Sequence, residues 1–447
     1  MNANPSYHRV PTARHDAIAV QRGVIAAMVI VCCLGGILAE TSAVELKPAG
    51  VAPVQANWPW WRGPTRDGVA AADEQPPLRW SDDENVLWKA KVPGRGHASP
   101  TVCGDRIFLA TADETQEVQS VLCYERASGR TMWKVDVHSA GMDHHGHKKS
   151  SQASATVACD GERVFANFVH DGGVYTTALD LDGRQAWQIR VSDFVTHQGF
   201  GSSPAIYRSM VLVSTDNKAG GVVAALDRQS GRILWKQDRP KQPNYTSPVV
   251  LSVGGRDQLL LAGCDHVASF DPLTGKQLWE IEGSTTECVG SIVSDGQLVF
   301  ASGGYPKKLT VAVRADGSGE VVWENSTQTY VPSMIVHNGF LYTVTDGGIA
   351  YCWKSSTGEE LWKSRMGGTF NTSPVLVGEL LFATDQEGKT SIFKASPDSF
   401  QLLGENKLGE DVYATPVFCG GQIFMRVAHG TGDARQEWLY CIGPRSR

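Results

Sequence analysis

The chain has 447 residues, enough for two or three ordinary domains or for one large β-architecture. It is 42% hydrophobic and 20% charged, a balance that supports a substantial core and excludes a chain too polar to fold. A formal charge of −6 argues against nucleic-acid binding, which needs a basic field to track phosphates. The 47 glycines, without a collagen period, mean many turns, and the 13 tryptophans mean that something repeated uses them.

Residues 1–43 read as an export signal rather than as fold. Arg9, Arg14 and Arg22 stand against one acid, Asp16, and residues 23–39 then run without a charge. A basic stretch followed by an apolar one is the pattern of a secretory signal, and the small residues Thr41 and Ala43 place cleavage after Ala43. The apolar run is also at the lower limit of a membrane span, so an uncleaved signal anchor is the other reading. Val31 before Cys32 does not make a lipid-attachment site. In both readings the remainder sits in the periplasm or elsewhere in the cell envelope, and it meets a membrane only through this segment if the segment stays uncleaved. Residues 44–84 form a lead-in that contains "WPWWRGPTRDG" at 58–68.

From residue 85 onward one phrase returns: an apolar strand, a Gly-containing turn and a short strand ending in Trp. It stands at "LCYERASGRTMW" (122–133), "LDLDGRQAW" (179–187), "ALDRQSGRILW" (225–235), "SFDPLTGKQLW" (269–279), "VRADGSGEVVW" (313–323) and "CWKSSTGEELW" (352–362). The closing residues are Trp133, Trp187, Trp235, Trp279, Trp323 and Trp362. Trp88, in "NVLWK", fits one period upstream, and Leu403, in "SFQLL", takes the place one period downstream. A period of roughly 40 to 50 residues is that of propeller blades built from four short strands. Helical periodicity is nearly absent beyond the signal.

A second phrase precedes each Trp phrase: "SPTV" (99–102), "SATV" (154–157), "SPAI" (203–206), "SPVV" (247–250), "GSIV" (290–293), "PSMI" (332–335), "SPVL" (373–376) and "TPVF" (415–418). Pro suits the first residue of an inner strand, where no ladder donor is lost. Eight such phrases predict eight blades. The last blade then reads one strand short after "EWLYCI" (437–442), and "NVLWK" (85–89) is a Trp-ending strand with no blade of its own. The expected fold is therefore all-β, an eight-bladed propeller of four-stranded blades over 85–442. Strand 85–89 completes the last blade and removes an exposed edge, and 443–447 form a tail.

These phrases resemble the PQQ-like repeat. The Asp227–Trp235 and Asp271–Trp279 stretches match its tryptophan-docking pattern, A-x-D-x-x-T/S-G-x-x-x-W. The resemblance covers residues 85–442 and implies that each Trp, Trp88 included, packs between neighbouring blades. The superfamily includes quinoprotein alcohol dehydrogenases, BamB-type scaffold lipoproteins of outer-membrane assembly, and sensor domains fused to kinases. The motif is specific to the fold and not to one function.

A calcium–PQQ dehydrogenase is the enzymatic reading. By resemblance it needs a planar quinone pocket, oxygen ligands for Ca2+, a carboxylate base and often a vicinal disulfide. The adjacent cysteines here are Cys32 and Cys33, inside the apolar signal, and the chain is short for those enzymes. Asp193, Glu287 and Asp411 lie near predicted blade junctions, where loop acids are ordinary. In the loop "HSAGMDHHGHKK" (138–149), His144, His145 and His147 are the candidate metal ligands. They have no partner at a diagnostic spacing, and Lys148 and Lys149 would repel a cation. Cys103, Cys123, Cys159, Cys264, Cys288, Cys352, Cys419 and Cys441 read as buried thiols. First and third strands of one blade are roughly 9 to 10 Å apart, beyond disulfide reach. "GTGDARQE" (430–437) lacks a P-loop Lys and reads as a hairpin loop.

The expected function is a non-catalytic propeller that holds a protein partner in the cell envelope, without PQQ, Ca2+ or another cofactor. The alternative is a PQQ- or metal-dependent oxidoreductase.

Overall fold

The computed structural model describes residues 57–444; the proposed signal at 1–43 lies outside the described residues. Strands group into eight separate sheets of four, seven of them in sequence order from an inner to an outer strand. Blade 1 comprises Thr101–Cys103, Arg106–Asp113, Val118–Glu125 and Thr131–Ser139. Blades 2 to 7 repeat this plan over 158–193, 205–238, 249–282, 293–325, 335–365 and 375–407. Blade 8 combines 417–442 with Val86–Val92, which pairs antiparallel with Gln436–Ile442 and places Trp88 opposite Cys441. The ring closes as an eight-bladed propeller, and the closing strand extends three residues beyond the predicted 85–89.

Burial explains the sequence patterns. Second and third strands are covered on both faces by adjacent blades, so Arg106–Asp113 and Leu298–Gly303 are apolar almost throughout. Outer strands are covered on one face and alternate, as Gln277–Glu282 does. The apolar clusters accordingly span pairs of neighbouring blades.

The outer-strand tryptophans reach the next blade. Trp88, Trp133, Trp187 and Trp235 donate their Nε1–H to the carbonyls of Arg126, Leu181, Arg228 and Pro272, at 3.0, 2.9, 3.1 and 3.2 Å. Trp323 and Trp362 donate to Ser355 and Ser396 at 2.7 and 2.8 Å. Trp279 departs from the scheme and donates to Gln258 Oε1 of its own blade at 2.8 Å. The accepting turn carries the motif's glycine for two reasons. Gly275 has φ +71°, and a Cβ there would stand 2.4 Å from the Trp235 ring. The residue beside each Trp in the third strand is small for a related reason: Ala225, Ser269, Cys123 and Cys352 pair directly with Trp235, Trp279, Trp133 and Trp362.

Three expectations change in register. In blade 7 a bulge places Gly404, not Leu403, opposite Ile392, so the tryptophan position is empty of side chain. Trp80 of the lead-in fills the junction instead, stacking 6.4 Å from Phe382, with its backbone N–H on Asn406 Oδ1 at 3.0 Å. In blade 2 the inner strand is Ala158–Cys159, which puts the repeated hydroxyl at Thr156 rather than Ser154. Blades 5 and 6 likewise carry it at Ser291 and Ser333, one residue into the phrases read from 290 and 332.

Candidate functional site

The eight inner strands surround an axial channel, and the aligned hydroxyls form a girdle around it. The backbone N–H of Ser99 donates to Thr156 Oγ1 at 3.0 Å, Thr156 to Ser203 Oγ at 2.9 Å, and Ser203 to Ser247 Oγ at 2.9 Å. The second half repeats this from Ser291 to Ser333, Ser333 to Ser373 and Ser373 to Thr415, at 3.0, 2.9 and 2.9 Å. Each bond satisfies a buried donor of one blade with the next blade's hydroxyl, so the phrase joins blades as well as starting strands. A Ser or Thr stands two residues before each of the eight inner strands, a recurrence legible in the sequence beside the Pro.

One end of the channel is covered by the lead-in. Trp58 exchanges backbone hydrogen bonds with Val102 at 2.9 Å each, and Cys159 N donates to Pro59 O at 2.7 Å. The buried Arg62 guanidinium donates to the carbonyls of Pro374, Met334 and Asp67 at 3.0, 2.9 and 2.7 Å. Burial lowers its pKa to about 10, so it stays charged at neutral pH, and the planar fork suits several carbonyls at once. Arg66 reaches Ile206 O at 2.5 Å and lies 4.5 Å over the Trp60 ring. Glu74 accepts from the backbone N–H groups of Gly420 and Gly421, both at 2.6 Å. The segment thereby ties together blades that the chain order keeps far apart.

The other end opens as a funnel of about 460 Å3. Trp61 lines it from the lead-in side, its Nε1–H held by Ser291 Oγ at 2.8 Å. His97 stacks on Tyr413 with centroids 4.0 Å apart. Burial first, and then the cations of Arg95, Arg426 and Arg435, hold His97 well below the usual histidine range and therefore neutral. Further round the wall Asp346 accepts the N–H groups of Tyr330 and Val331 at 2.7 and 2.9 Å, and burial raises its carboxyl above the ordinary value. Lys149 also lines the opening.

The carboxylates singled out from sequence separate. Glu287 is buried behind the wall, where Tyr330 Oη and Gln198 Nε2 donate to Oε2 at 2.9 and 3.1 Å and His197 Nε2 lies 3.2 Å from Oε1. Asp193 pairs on the surface with Arg190 at 2.5 Å, and Asp411 with Arg435 at 3.1 Å. The three loop histidines face different partners. His144 lies 3.3 Å from Glu117, His145 lies 2.7 Å from Asp143, and His147 Nδ1 accepts from Lys149 N at 3.1 Å. His144 and His147 border a hollow of about 180 Å3 beside the funnel. Among the described residues no three His, Cys, Asp or Glu side chains gather to hold a metal ion.

These residues do not fit a calcium–quinone pair. Ca2+ takes six to eight oxygen ligands, whereas Glu287 is committed to Tyr330, Gln198 and His197, and Asp346 to backbone N–H groups. No adjacent cysteines occur in 57–444 to roof a quinone.

A family model described as outer membrane protein assembly factor BamB matches residues 117–364 and 307–399, more than half of the sequence. The chain belongs to that family. A BamB of Bordetella pertussis is 24% identical over 353 residues, covering 74% of this chain and 81% of the relative. The crystal structure of BamB from Moraxella catarrhalis superposes with a TM-score of 0.57 at 15% identity, over 79% of this chain and 96% of that one. A europium-containing methanol dehydrogenase superposes with a TM-score of 0.63 at 11% identity, over 87% and 98%. At these identities the structural likeness is one of fold alone.

Proposed function

We propose that this protein is a non-catalytic scaffold of the cell envelope that holds a protein partner in the assembly of outer-membrane proteins. The carrying observation is its likeness to the Bordetella assembly factor, four-fifths of whose length it spans. The periplasmic side of the outer membrane is the location this reading requires, and the signal-like segment 1–43 supports it. The funnel's committed carboxylates support a protein without PQQ or Ca2+. The face around the funnel is the docking surface, since it carries two large exposed apolar side chains, Val195 at 50% and Tyr305 at 56%.

The test is genetic and biochemical. Deleting the gene in its native host should lower the amount of assembled outer-membrane protein. The wild-type gene should restore it, and Val195→Asp/Tyr305→Asp should restore it poorly at equal abundance. Saturable binding of PQQ with Ca2+, together with substrate-dependent dye reduction, would overturn the scaffold reading in favour of the oxidoreductase.

A further inference from the structure

The hydroxyl girdle that lines the funnel is interrupted twice. Among the described residues no such bond joins the phrase of blade 4 to that of blade 5, or the phrase of blade 8 to that of blade 1. At the first gap Trp61 of the lead-in donates to Ser291 Oγ instead, so that acceptor is satisfied. At the second gap Ser99 Oγ has no partner, although the residue is 3% exposed. His97 Nε2, two residues earlier in the chain, has none either. Both residues line the funnel. Buried polar atoms in folded proteins are hydrogen-bonded with few exceptions, and a polar group entering the funnel would satisfy this pair.

The walls supply the rest of a site. Phe200, Tyr245, Tyr330 and Tyr413 come from four different inter-blade connections and stand with Trp61 around the opening. The polar side chains among them offer acceptors and donors together. Asn371 donates its amide N–H to Gln386 at 3.0 Å and Gln198 donates to Glu287 at 3.1 Å, which leaves both carbonyl oxygens to accept. Lys149 is a donor. Histidines aside, Lys149 and Asp346 are the charged side chains in the lining, one of each sign. His97, held neutral by burial and the nearby arginines, adds no cation.

We propose that the funnel binds the end of a neutral saccharide, one or two pyranose rings. A pyranose matches both features of the lining. Its C–H faces lie flat against aromatic rings, and each hydroxyl on its rim donates and accepts, as Ser99, His97, Asn371 and Gln198 require. A sugar phosphate or uronate would find no unopposed cation. The volume of about 460 Å3 falls in the range of roughly 300 to 1,000 Å3 typical of small-molecule sites. A free oligosaccharide and the end of an envelope glycan chain both present this chemistry. Sugar binding here needs no protein partner, so it stands or falls apart from the scaffold role.

The purified full-length protein is titrated calorimetrically with maltose, cellobiose, lactose and N,N′-diacetylchitobiose, and is sedimented in parallel with purified peptidoglycan sacculi. At least one disaccharide should bind saturably, at one site per chain. Asn371→Ala should weaken that binding about tenfold, the effect of losing one hydrogen bond to the ligand. Asn371 is only partly buried, so its variant should melt with the wild type. Phe200→Ala should also weaken binding, and Phe200→Tyr, which keeps the ring, should retain it. Sedimentation with sacculi that the bound disaccharide competes away assigns the ligand to an envelope glycan. Binding of the soluble sugar without such sedimentation assigns it to a free oligosaccharide. No saturable heat with any of the four disaccharides would overturn the proposal, whatever the sacculi do. So would binding that Asn371→Ala and Phe200→Ala both leave unchanged, since the sugar would then sit outside the funnel.

Discussion

A tryptophan at the end of one blade is useful only where the following blade offers a bare backbone to receive it. Trp323 shows the arrangement in full: it is buried, lies 5.9 Å from Phe300 and donates to Ser355 O. A Cβ on Gly358, φ +71°, would stand 2.5 Å from its ring. The indole supplies apolar area and one polar tip, and both are satisfied, as a large buried aromatic requires. Trp323→Ala should cost about 3–5 kcal/mol in urea unfolding, the range for emptying such a site. Trp235→Ala should cost less, because Trp235 is only partly buried. A loss at Trp323 below about 1 kcal/mol would place it among surface positions and undo the docking account.

Blade 7 shows how an element can lack its own docking residue and still close against its neighbour. Its register position for Trp holds Gly404, and the lead-in delivers Trp80 to the same junction from more than three hundred residues away in sequence. The two facts are linked, since a Trp at both places would compete for the space beside Phe382. Trp80→Ala should therefore destabilise the protein by about 3 kcal/mol, as other large-to-small changes at buried aromatics do. An added Cβ at Gly404 meets nothing within 4 Å, so Gly404→Trp has room to begin. Placed in the Trp80→Ala background, it should recover part of the loss in thermal melting. No recovery would show that Trp80 does more than replace the missing residue.

At the scale of the molecule, three devices hold the ring shut. The strand Val86–Val92 completes blade 8. Across the same junction, Arg426 forms a 2.6 Å ion pair with Glu437 and donates to Ala110 O of blade 1 at 2.6 Å, with both charged side chains 2% exposed. The lead-in then straps the inner strands at one channel mouth. Two truncations separate these contributions. Removing residues 44–76 takes away the strap and should leave a monomer with a lower melting temperature. Removing 44–92 also takes the closing strand, exposes an edge and should cause aggregation or loss of a cooperative melt. Equal behaviour of the two truncations would deny the closing strand its separate role.

Blade number, strand order and closure were legible in the sequence because they rest on local, repeated contacts. Each strand pairs with its chain neighbour, each phrase recurs at one period, and a spare Trp strand at one end matched a missing strand at the other. The Gly and small-residue positions around Trp235 and Trp279 were legible for the same reason. Only the tertiary structure decided what "WPWWRG" does, because Arg62 meets Met334 and Pro374, 272 and 312 residues away, through single aperiodic contacts. It also decided that Glu287 stands behind the funnel wall while Asp193 and Asp411 go elsewhere, and that the loop histidines face separate partners. No periodic signal marks such groupings. They arise when eight sheets that fold locally are bent into a ring, and the channel mouth then collects residues from every blade at once.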